Sequence, residues 1–486
     1  MSVKKDLISG VFFTAIAKYS GIIISLIISG VLARLLSPKE FGVVGVATVI
    51  INFFNILGDI GIGPAIIQRD NLTKDDIKSI HSFTSIVGIT LAALFFCCSW
   101  LIAQFYNDAS LTSVCQILSL SIFFNCFGIV PINLQYKSKN FRKIAIITLS
   151  IQILVGIVSI IFAILGGGVY ALVSSSVLSS AATSIIYNIF SRTSLTFQIH
   201  KQSLLKIASF SIYQFLFNII NYFSRNLDKV LIGKFIGFSQ LGYYEKSYRL
   251  MLMPLQNISF VITPVLLPVF SDIKNNITDL TKKYLKLLNI LAYVAFPLGA
   301  MLYFCAKELI LIIFGNQWVP SIIPFQILTF TVGMQILNST AGTIYQAVDA
   351  TKQLLNSGCI GALFMICSFA LSIGYYGTLI AVCYGYLFAQ ILNTIQTFYL
   401  LFNVLGCKKF HWMKILIKPL YITIFLYCIF YISIIFLKIE NLFFCLLVKL
   451  IICLIFYTIL IQLFGSVKIS DIMRDKINLK KLIYED

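Results

Sequence analysis

Residues 144–165, IAIITLSIQILVGIVSIIFAIL, decide the fold class of this protein, because these 22 consecutive residues carry no charged side chain. A helix of about 20 apolar residues crosses the roughly 30 Å of hydrocarbon in a bilayer. Arg142 and Lys143 precede the stretch, and three glycines at 166–168 follow it, which is typical of a tight turn. Since hydrocarbon offers the backbone no hydrogen-bond partner, the stretch is predicted to be a membrane-spanning helix.

Runs of this kind recur from one end of the sequence to the other. Of the 486 residues, 59% are hydrophobic and only 11% are charged, and the mean hydropathy is +0.93. A soluble domain carries about 25% charged residues, so lipid must cover most of this surface. We predict an all-α polytopic membrane protein with about 14 transmembrane helices. The predicted spans begin near Ser9, Glu40, Ile77, Ser110, Phe141, Gly168, Ser203, Gln240, Thr281, Val319, Thr351, Gly377, Met413 and Asn441.

Positive charge is distributed unequally between the two sets of loops. Twenty-six Lys and Arg residues lie in the N-terminal segment, in every second loop and in the C-terminal tail. The other side has only Lys39, Lys234, Lys307 and Lys438. Because Lys and Arg accumulate in cytoplasmic loops, both termini are predicted to be cytoplasmic. This pattern also explains the net charge of +19 without a nucleic acid partner.

The sequence repeats itself weakly at an offset of about 200 to 210 residues. The matched stretches are Val31-Leu32 with Val230-Leu231, Phe41-Gly42 with Leu241-Gly242, residues 116–119 with 326–329, and residues 168–173 with 377–382. A repeat of six spans predicts two six-helix bundles related by a pseudo-two-fold axis along the membrane normal, with the substrate between them. The predicted divisions are an N-terminal bundle at 1–200, a C-terminal bundle at 201–406, transmembrane helices 13 and 14 at 407–465, and a cytoplasmic tail at 466–486.

Charged side chains inside the predicted spans are the candidates for function, because they are costly in hydrocarbon and usually face a cavity or a partner. The candidates for substrate binding are Lys18, Arg225, Lys246 and Arg249. The candidates for ion coupling or salt bridges are Asp59, Asp228, Lys229 and Glu245. Lys449, in the last span, is expected to reach the membrane surface or to contact lipid phosphate.

Two interpretations of the substrate-binding candidates are open. Residues three or four apart share a helix face, which groups Arg225 with Asp228 and Lys229, and Lys246 with Arg249. In one interpretation these faces line a cationic lumen that binds an anionic headgroup, since guanidinium and ammonium groups both bind phosphate. In the other, the clusters are solvated ion pairs near the membrane surface.

Motifs of soluble enzymes and of metal sites are absent from the sequence, including GxxxxGK[ST], HExxH, GxSxG and DxD. The twelve cysteines lie mostly within apolar runs without a CxxC pair, and the three histidines lie far apart. A buried free cysteine behaves as a small hydrophobic residue. We predict no catalytic residue, no metal and no cofactor, and therefore a protein that is not an enzyme.

Three stretches of the sequence resemble the Wzx-type polysaccharide flippases. They are RLLSPKEFG at 34–42, GDIGIG at 58–63 with AIIQR at 65–69, and RNLDKVLIG at 225–233 with LGYY at 241–244. The last stretch is similar to the colanic-acid and teichuronic-acid exporter branch of the multidrug, oligosaccharidyl-lipid and polysaccharide exporter superfamily. The resemblance covers roughly residues 1–400 and fades over the last two spans.

This resemblance implies two helix bundles around a central cavity that opens alternately to either side of the bacterial inner membrane. The implied substrate is an oligosaccharide repeat unit on undecaprenyl diphosphate, and the implied function is its translocation for lipopolysaccharide O-antigen, capsule or exopolysaccharide. Membrane lipids and other polysaccharide-assembly proteins are the implied partners.

Two other functions compete with translocation of a lipid-linked sugar. A multidrug cation antiporter with the same fold needs acidic groups in the membrane, whereas here basic groups in the spans outnumber acidic ones. A membrane glycosyltransferase or polysaccharide polymerase usually needs a large outer loop, and the predicted outer loops are short.

Overall fold

A computed structural model describes residues 2–59, 61–69, 72–196, 200, 222, 225–407, 411–436 and 439–465. The regular structure in these residues is helical throughout, which confirms the predicted all-α membrane fold. The first helices are α1 (Ser2–Leu35), α2 (Pro38–Asp59), α3 (Ile62–Gln68), α4 (Lys74–Tyr106), α5 (Ser110–Lys137), α6 (Phe141–Ile164), α7 (Val169–Ser191) and α8 (residues 225–235). They are followed by α9 (Phe238–Asp272), α10 (Ile277–Phe304), α11 (Ala306–Ile313), α12 (Ile322–Ala347), α13 (Thr351–Leu371), α14 (Leu379–Val404), α15 (His411–Phe436) and α16 (Leu442–Phe464).

Twelve helices in the described part of the chain are long and apolar enough to cross a membrane. They are α1, α2, α4 to α7, α10 and α12 to α16, with the 3₁₀ segment Asn316–Ser321 extending α12 and the π segment Ser372–Tyr376 extending α13. The predicted eighth span corresponds to α9, a helix of 35 residues. The predicted seventh span begins in residues 201–221, which lie outside the described residues, so the exact number of spans stays a prediction.

Local sequence sets several of the helix ends. At the start of α4, Asp76 N donates to Thr73 Oγ1 at 3.1 Å and Thr73 N donates to Asp76 Oδ2 at 3.0 Å. This capping box satisfies backbone donors that the first helical turn leaves unpaired. Ser37 and Glu40 make the same exchange at the start of α2. The glycines at 166–168 form the predicted tight turn between α6 and α7, with a φ of 84° at the first.

The contacts within the chain divide it into two compact units, Met1–Gly242 and Tyr243–Asp486. In the first unit α4 packs against α5, α5 against α7, and α1 against α6. One apolar core of this unit joins α3, α4 and α5 through Ile66, Ile80 and Val130. The predicted bundle boundary at residue 200 stays a prediction, since residues 201–221 lie outside the described residues.

In the second unit α10 packs against α12 and α15, and α14 packs against α12 and α13. Its larger core gathers buried aromatic rings, among them Tyr284 and Phe402, whose centroids lie 6.1 Å apart. A second core holds α16 against α10 and α15, where Phe304 stacks on Phe430 at 4.6 Å. The last span is therefore packed into the second unit.

Large apolar side chains remain on the surface of both units. Trp100, Leu154 and Tyr431 are exposed, in common with many residues on the spans. An apolar surface of this extent is unfavourable in water but is stable in contact with lipid tails. The protein is thus a multi-pass membrane protein.

Candidate functional site

The first turns of α9 carry Glu245, Lys246 and Arg249. Lys246 and Arg249 are predicted to bind the substrate, and Glu245 is a candidate for ion coupling or a salt bridge. Tyr244, Ser247 and Tyr248 are buried on the same turns, so this end of α9 is packed into the protein rather than lying free on it. Lys246 is only 2% exposed, whereas Arg249 is exposed and Glu245 half-buried. The three charges therefore share a helical turn but have different access to the surroundings.

Aromatic rings surround the ammonium group of Lys246. Its Nζ atom lies 4.8 Å from the ring centroid of Phe314 and 5.4 Å from that of Trp318. Both rings are almost completely buried. A cation over an aromatic face is attracted by the ring quadrupole, and the attraction is stronger where water is excluded. Phe314 and Trp318 thus enclose the amino group of Lys246 beneath the protein surface.

Two serine hydroxyls link α9 to the 3₁₀ segment that contains Trp318. Ser247 Oγ donates to the carbonyl oxygen of Ser321 at 2.8 Å, and Ser321 Oγ donates to that of Tyr243 at 3.1 Å. Tyr243 also meets the ring of Trp318 edge to face at 5.9 Å. These contacts keep the aromatic rings in place over Lys246.

The charged residues of α8 belong to the first unit. Residues 225–235 are helical, so the predicted spacing of Arg225, Asp228 and Lys229 on one face holds. Asp228 is buried and accepts a hydrogen bond from the backbone N–H of Lys229 at 2.8 Å, while Arg225 is exposed and Lys229 half-buried. Arg225 is the member of this cluster that is accessible to a ligand.

Asp59 has a structural contact that the sequence did not predict. Its Oδ1 atom accepts a hydrogen bond from the backbone N–H of Gly63 at 3.1 Å, in the first turn of the short helix α3. A carboxylate at this position also interacts favourably with the positive end of the helix dipole. At the other end of α3, Lys137 Nζ donates to the carbonyl oxygens of Ile66 and Arg69. Lys18, on α1, is half-buried.

The sequence model of a known family matches residues 31–323, which is well over half of the chain, and its description is "Polysaccharide biosynthesis protein". The chain belongs to this family. The match includes both charged clusters, on α8 and on the first turns of α9.

Two bacterial relatives of this family member are similar over most of their length. The teichuronic acid biosynthesis protein TuaB of Bacillus subtilis is 26% identical over 431 residues, covering 87% of this chain and 88% of TuaB. The lipopolysaccharide biosynthesis protein WzxC of Escherichia coli is 26% identical over 438 residues, covering 87% of each chain.

The fold of this family member is that of the transporters in the MOP superfamily. A structure of the lipid II flippase MurJ in an inward closed conformation covers 96% of this chain and 100% of its own, with a TM-score of 0.73 and 17% identity. An inward-facing multidrug resistance transporter of the MATE family covers 82% of this chain and 99% of its own, with a TM-score of 0.63 and 15% identity. At these identities the likeness establishes the fold alone.

The prediction for Lys449 was wrong, because this residue is buried against a carboxylate. Lys449 Nζ lies 2.8 Å from Glu308 Oε1 and also donates to the carbonyl oxygen of Phe304 at 2.9 Å. Cys445 Sγ donates to the same carboxylate oxygen at 3.5 Å. The pair ties α16 to α11, so the last span of this family member is held by an ion pair inside the second unit.

Four more residues with structural contacts were not predicted from the sequence: Phe314, Trp318, Glu308 and Lys137. For Glu308 a signal was present, since a lysine buried in a span requires an acidic partner in some other apolar segment. The aromatic rings carried no such signal, because a Phe or Trp in an apolar run is usually a packing residue.

Proposed function

We propose that this protein translocates oligosaccharide repeat units linked to undecaprenyl diphosphate across the bacterial inner membrane, by alternating access, for the assembly of surface polysaccharide. Membership in the polysaccharide biosynthesis family is the observation that carries this proposal. The full-length likeness to MurJ supports it, because that protein has the fold and is named a lipid II flippase. The protein is proposed to act as a transporter and not as an enzyme.

The charges on α8 and α9 support an anionic substrate. We assign direct contact with the diphosphate–sugar to Arg225 and Arg249, whose side chains are exposed, and to the half-buried Lys18. A guanidinium group binds two phosphate oxygens at once, which gives geometry as well as charge. Lys246, enclosed by Phe314 and Trp318, contributes its positive field from beneath the surface.

The direction of transport follows from the charge of the carrier. A group with about two negative charges that leaves a negative interior gains about 4–5 kcal/mol at a membrane potential of 100 mV. The membrane potential therefore suffices to bias transport outward without a nucleotide. If an ion is also carried, Asp59, Asp228, Lys229 and Glu245 are the ionisable groups in or beside the spans that are proposed to respond to it.

The proposed orientation places both termini and the basic loops in the cytoplasm. A substrate that is carried outward must therefore first reach the substrate-binding residues from the cytoplasmic side. The enzymes that supply the oligosaccharide and those that polymerise it outside are the proposed partners, together with the membrane lipids.

A multidrug antiporter is the alternative that the MATE-like fold raises. Such a protein needs carboxylates that can receive a cation. Here Asp59 caps α3 and Glu308 is paired with Lys449. Two of the acidic groups near or in the membrane are thus engaged by the protein itself, which favours the anionic substrate.

Purified protein in proteoliposomes tests the proposal, with fluorescent lipid-linked oligosaccharide and a cationic dye as alternative substrates. We expect movement of the oligosaccharide lipid to the opposite leaflet and no dye transport. Dye transport without lipid movement would identify an antiporter instead.

Substitution of Arg249 tests the binding site in the same assay. A charged hydrogen bond is worth about 1.5–3 kcal/mol. Its loss in Arg249→Ala should therefore weaken binding roughly 10- to 100-fold. Arg249→Lys should recover part of this loss, because the charge remains while the fork geometry does not. Lys74→Ala, an exposed residue at the start of α4, is the control and should transport normally.

A further inference from the structure

A groove of about 840 Å³ separates α13 from α14 near the turn that joins them. It lies within the second unit and is lined by these two helices, the π segment and Thr378 of the turn. Along α13 and the π segment it runs from Phe364 to Tyr376, which is about 18 Å at a rise of about 1.5 Å per residue. Ligand sites have volumes of about 300–1,000 Å³, so the groove is large enough to hold a lipid chain.

The floor of the groove is a close contact between the two helices. Ser368 Oγ donates to the carbonyl oxygen of Gly385 at 2.6 Å, and Ser372 Oγ donates to that of Ser368 at 2.8 Å. A Cβ atom added at Gly385 would overlap Ser372 Oγ. Because these contacts hold α13 against α14, the groove does not depend on a ligand for its shape.

The walls of the groove are large apolar side chains that project from the protein. Leu371 on α13 is exposed, and so are Ile380, Tyr384 and Phe388 on α14. Both helices are long and apolar enough to cross a membrane. The medium around these walls is therefore hydrocarbon, and a lipid chain is the molecule that can enter between them.

Tyrosines mark the end of the groove next to the turn. Tyr375 and Tyr376 are 81% and 74% exposed and belong to the π segment, in which Gly377 N donates to the carbonyl oxygen of Ser372 at 3.3 Å. Short π segments are rare and are frequent at functional sites. Tyr is enriched where hydrocarbon meets water, because its ring is apolar and its hydroxyl group polar. The groove thus has a polar rim and an apolar interior, as a lipid has a polar headgroup and apolar chains.

The length of the groove corresponds to one leaflet of the bilayer. The hydrocarbon of a bilayer is about 30 Å thick, so one leaflet accounts for about 15 Å. A groove of about 18 Å that starts at the membrane surface ends near the bilayer centre. In the proposed orientation the rim lies on the outer side, and the groove follows the outer leaflet.

The absence of charge indicates the kind of headgroup that suits the rim. Residues 353–407, which include every residue of the groove, hold no charged side chain. An anionic headgroup, such as a diphosphate, would find no cation among the lining residues to pair with. A zwitterionic phospholipid has no net charge and needs only hydrogen bonds, which the hydroxyl groups of Tyr375, Tyr376 and Thr378 supply.

We propose that the groove between α13 and α14 binds one acyl chain of a zwitterionic phospholipid, in the leaflet next to their turn. None of the charged residues assigned to the transported lipid lines this groove. The site therefore does not depend on which substrate the protein carries. It holds a resident lipid, which should exchange more slowly than the lipids on the rest of the surface.

Photocrosslinking in proteoliposomes tests the site. The probe is phosphatidylethanolamine with a diazirine on one acyl chain, and labelled peptides are identified by mass spectrometry. We expect the label to concentrate on residues 364–392, in excess over other exposed positions on the spans, such as Leu154 of α6.

Two cysteines of α13 provide a matched pair of variants. Both are exposed, but Cys367 lines the groove whereas Cys359 lies outside it. Cys367→Trp should fill the groove and lower the labelling of residues 379–392 about tenfold, because the chain loses its contacts there. Cys359→Trp adds the same ring to the same helix and should leave this labelling unchanged.

Competition with unlabelled lipids identifies the occupant. Excess phosphatidylethanolamine should reduce the labelling more than equal amounts of phosphatidylglycerol, which is anionic, or of undecaprenyl phosphate. The proposal is overturned if the label is no denser in the groove than at Leu154, or if the two tryptophan variants behave alike. Stronger competition by phosphatidylglycerol would overturn the zwitterionic headgroup, and stronger competition by undecaprenyl phosphate would make the groove a site for the carrier lipid instead.

Discussion

Removal of the Lys449 charge should destabilise the second unit strongly, because the partner carboxylate is buried with it. The Nζ atom of Lys449 and the Oε1 atom of Glu308 are 2.8 Å apart, and their side chains are 9% and 5% exposed. Lys449→Met leaves Glu308 as an uncompensated charge between α11 and α16. It also removes the donor to the carbonyl oxygen of Phe304.

The magnitude follows from the geometry of the pair. Two unit charges at this separation attract by about 6 kcal/mol at an effective dielectric constant of about 20. Desolvation of both groups offsets much of this gain, so the intact pair adds little net stability. Breaking a buried pair costs about 3–5 kcal/mol, since one charge stays buried alone. The double substitution Lys449→Met with Glu308→Gln should therefore be more stable than Lys449→Met alone.

Unfolding in detergent micelles titrated with sodium dodecyl sulfate measures the effect. Lys274 and Asp349 provide a matched control in the same unit, because their charged atoms are also 2.8 Å apart but their side chains are 45% and 76% exposed. Lys274→Met should cost at most about 1 kcal/mol, as is usual for surface pairs. The reasoning fails if Lys449→Met is as mild as Lys274→Met, or if the double variant is the least stable of all.

Three further outcomes are expected. Reporter fusions after Asp486 should give a cytoplasmic signal, and fusions near Asn107 and Asn316 a periplasmic one, because the basic loops lie inside; a periplasmic C-terminus would overturn the even number of spans. Asp59→Asn should keep the cap on α3, whereas Asp59→Ala should lose about 1 kcal/mol in the same unfolding titration; equal loss in both would contradict the capping role. Trp318→Ala should cost about 3–5 kcal/mol, because a fully buried large ring leaves a cavity; a near-neutral effect would show that the packing of this ring does not stabilise the second unit.

The spans could be predicted from sequence because the membrane imposes one strong constraint on them. Residues 144–165 have few alternatives to a helix, and the glycines at 166–168 have few alternatives to a turn. The short helix α3 and the segment from Ala306 to Ser321 gave no such signal, since each is shorter than a span. The first turn of α3 is set by one side chain, Asp59, whose contact leaves no trace in the hydropathy pattern.

The environment of each charge was harder to predict than its position on a helix. Spacing placed Lys246 and Arg249 on one face of α9, yet Lys246 is buried and Arg249 exposed. The difference arises from Phe314 and Trp318, which cover Lys246 from a segment about 70 residues away in sequence. Helical periodicity describes a face, but the residues that cover that face are set by tertiary packing.

The boundary between the two units lies between Gly242 and Tyr243. Its position determines whether two fragments of the protein can each fold alone. Cleavage of the backbone near residue 197 would leave α1 to α7 in one fragment and the helices from α8 onward in the other. However, residues 225–242 pack within the first unit, where Tyr106 donates a hydrogen bond to the carbonyl oxygen of Val230 at 3.4 Å. The N-terminal fragment would thus lack part of its own interior until the other fragment supplies it. Co-expressed halves should complement each other, whereas the N-terminal half made alone should be a substrate for membrane proteases.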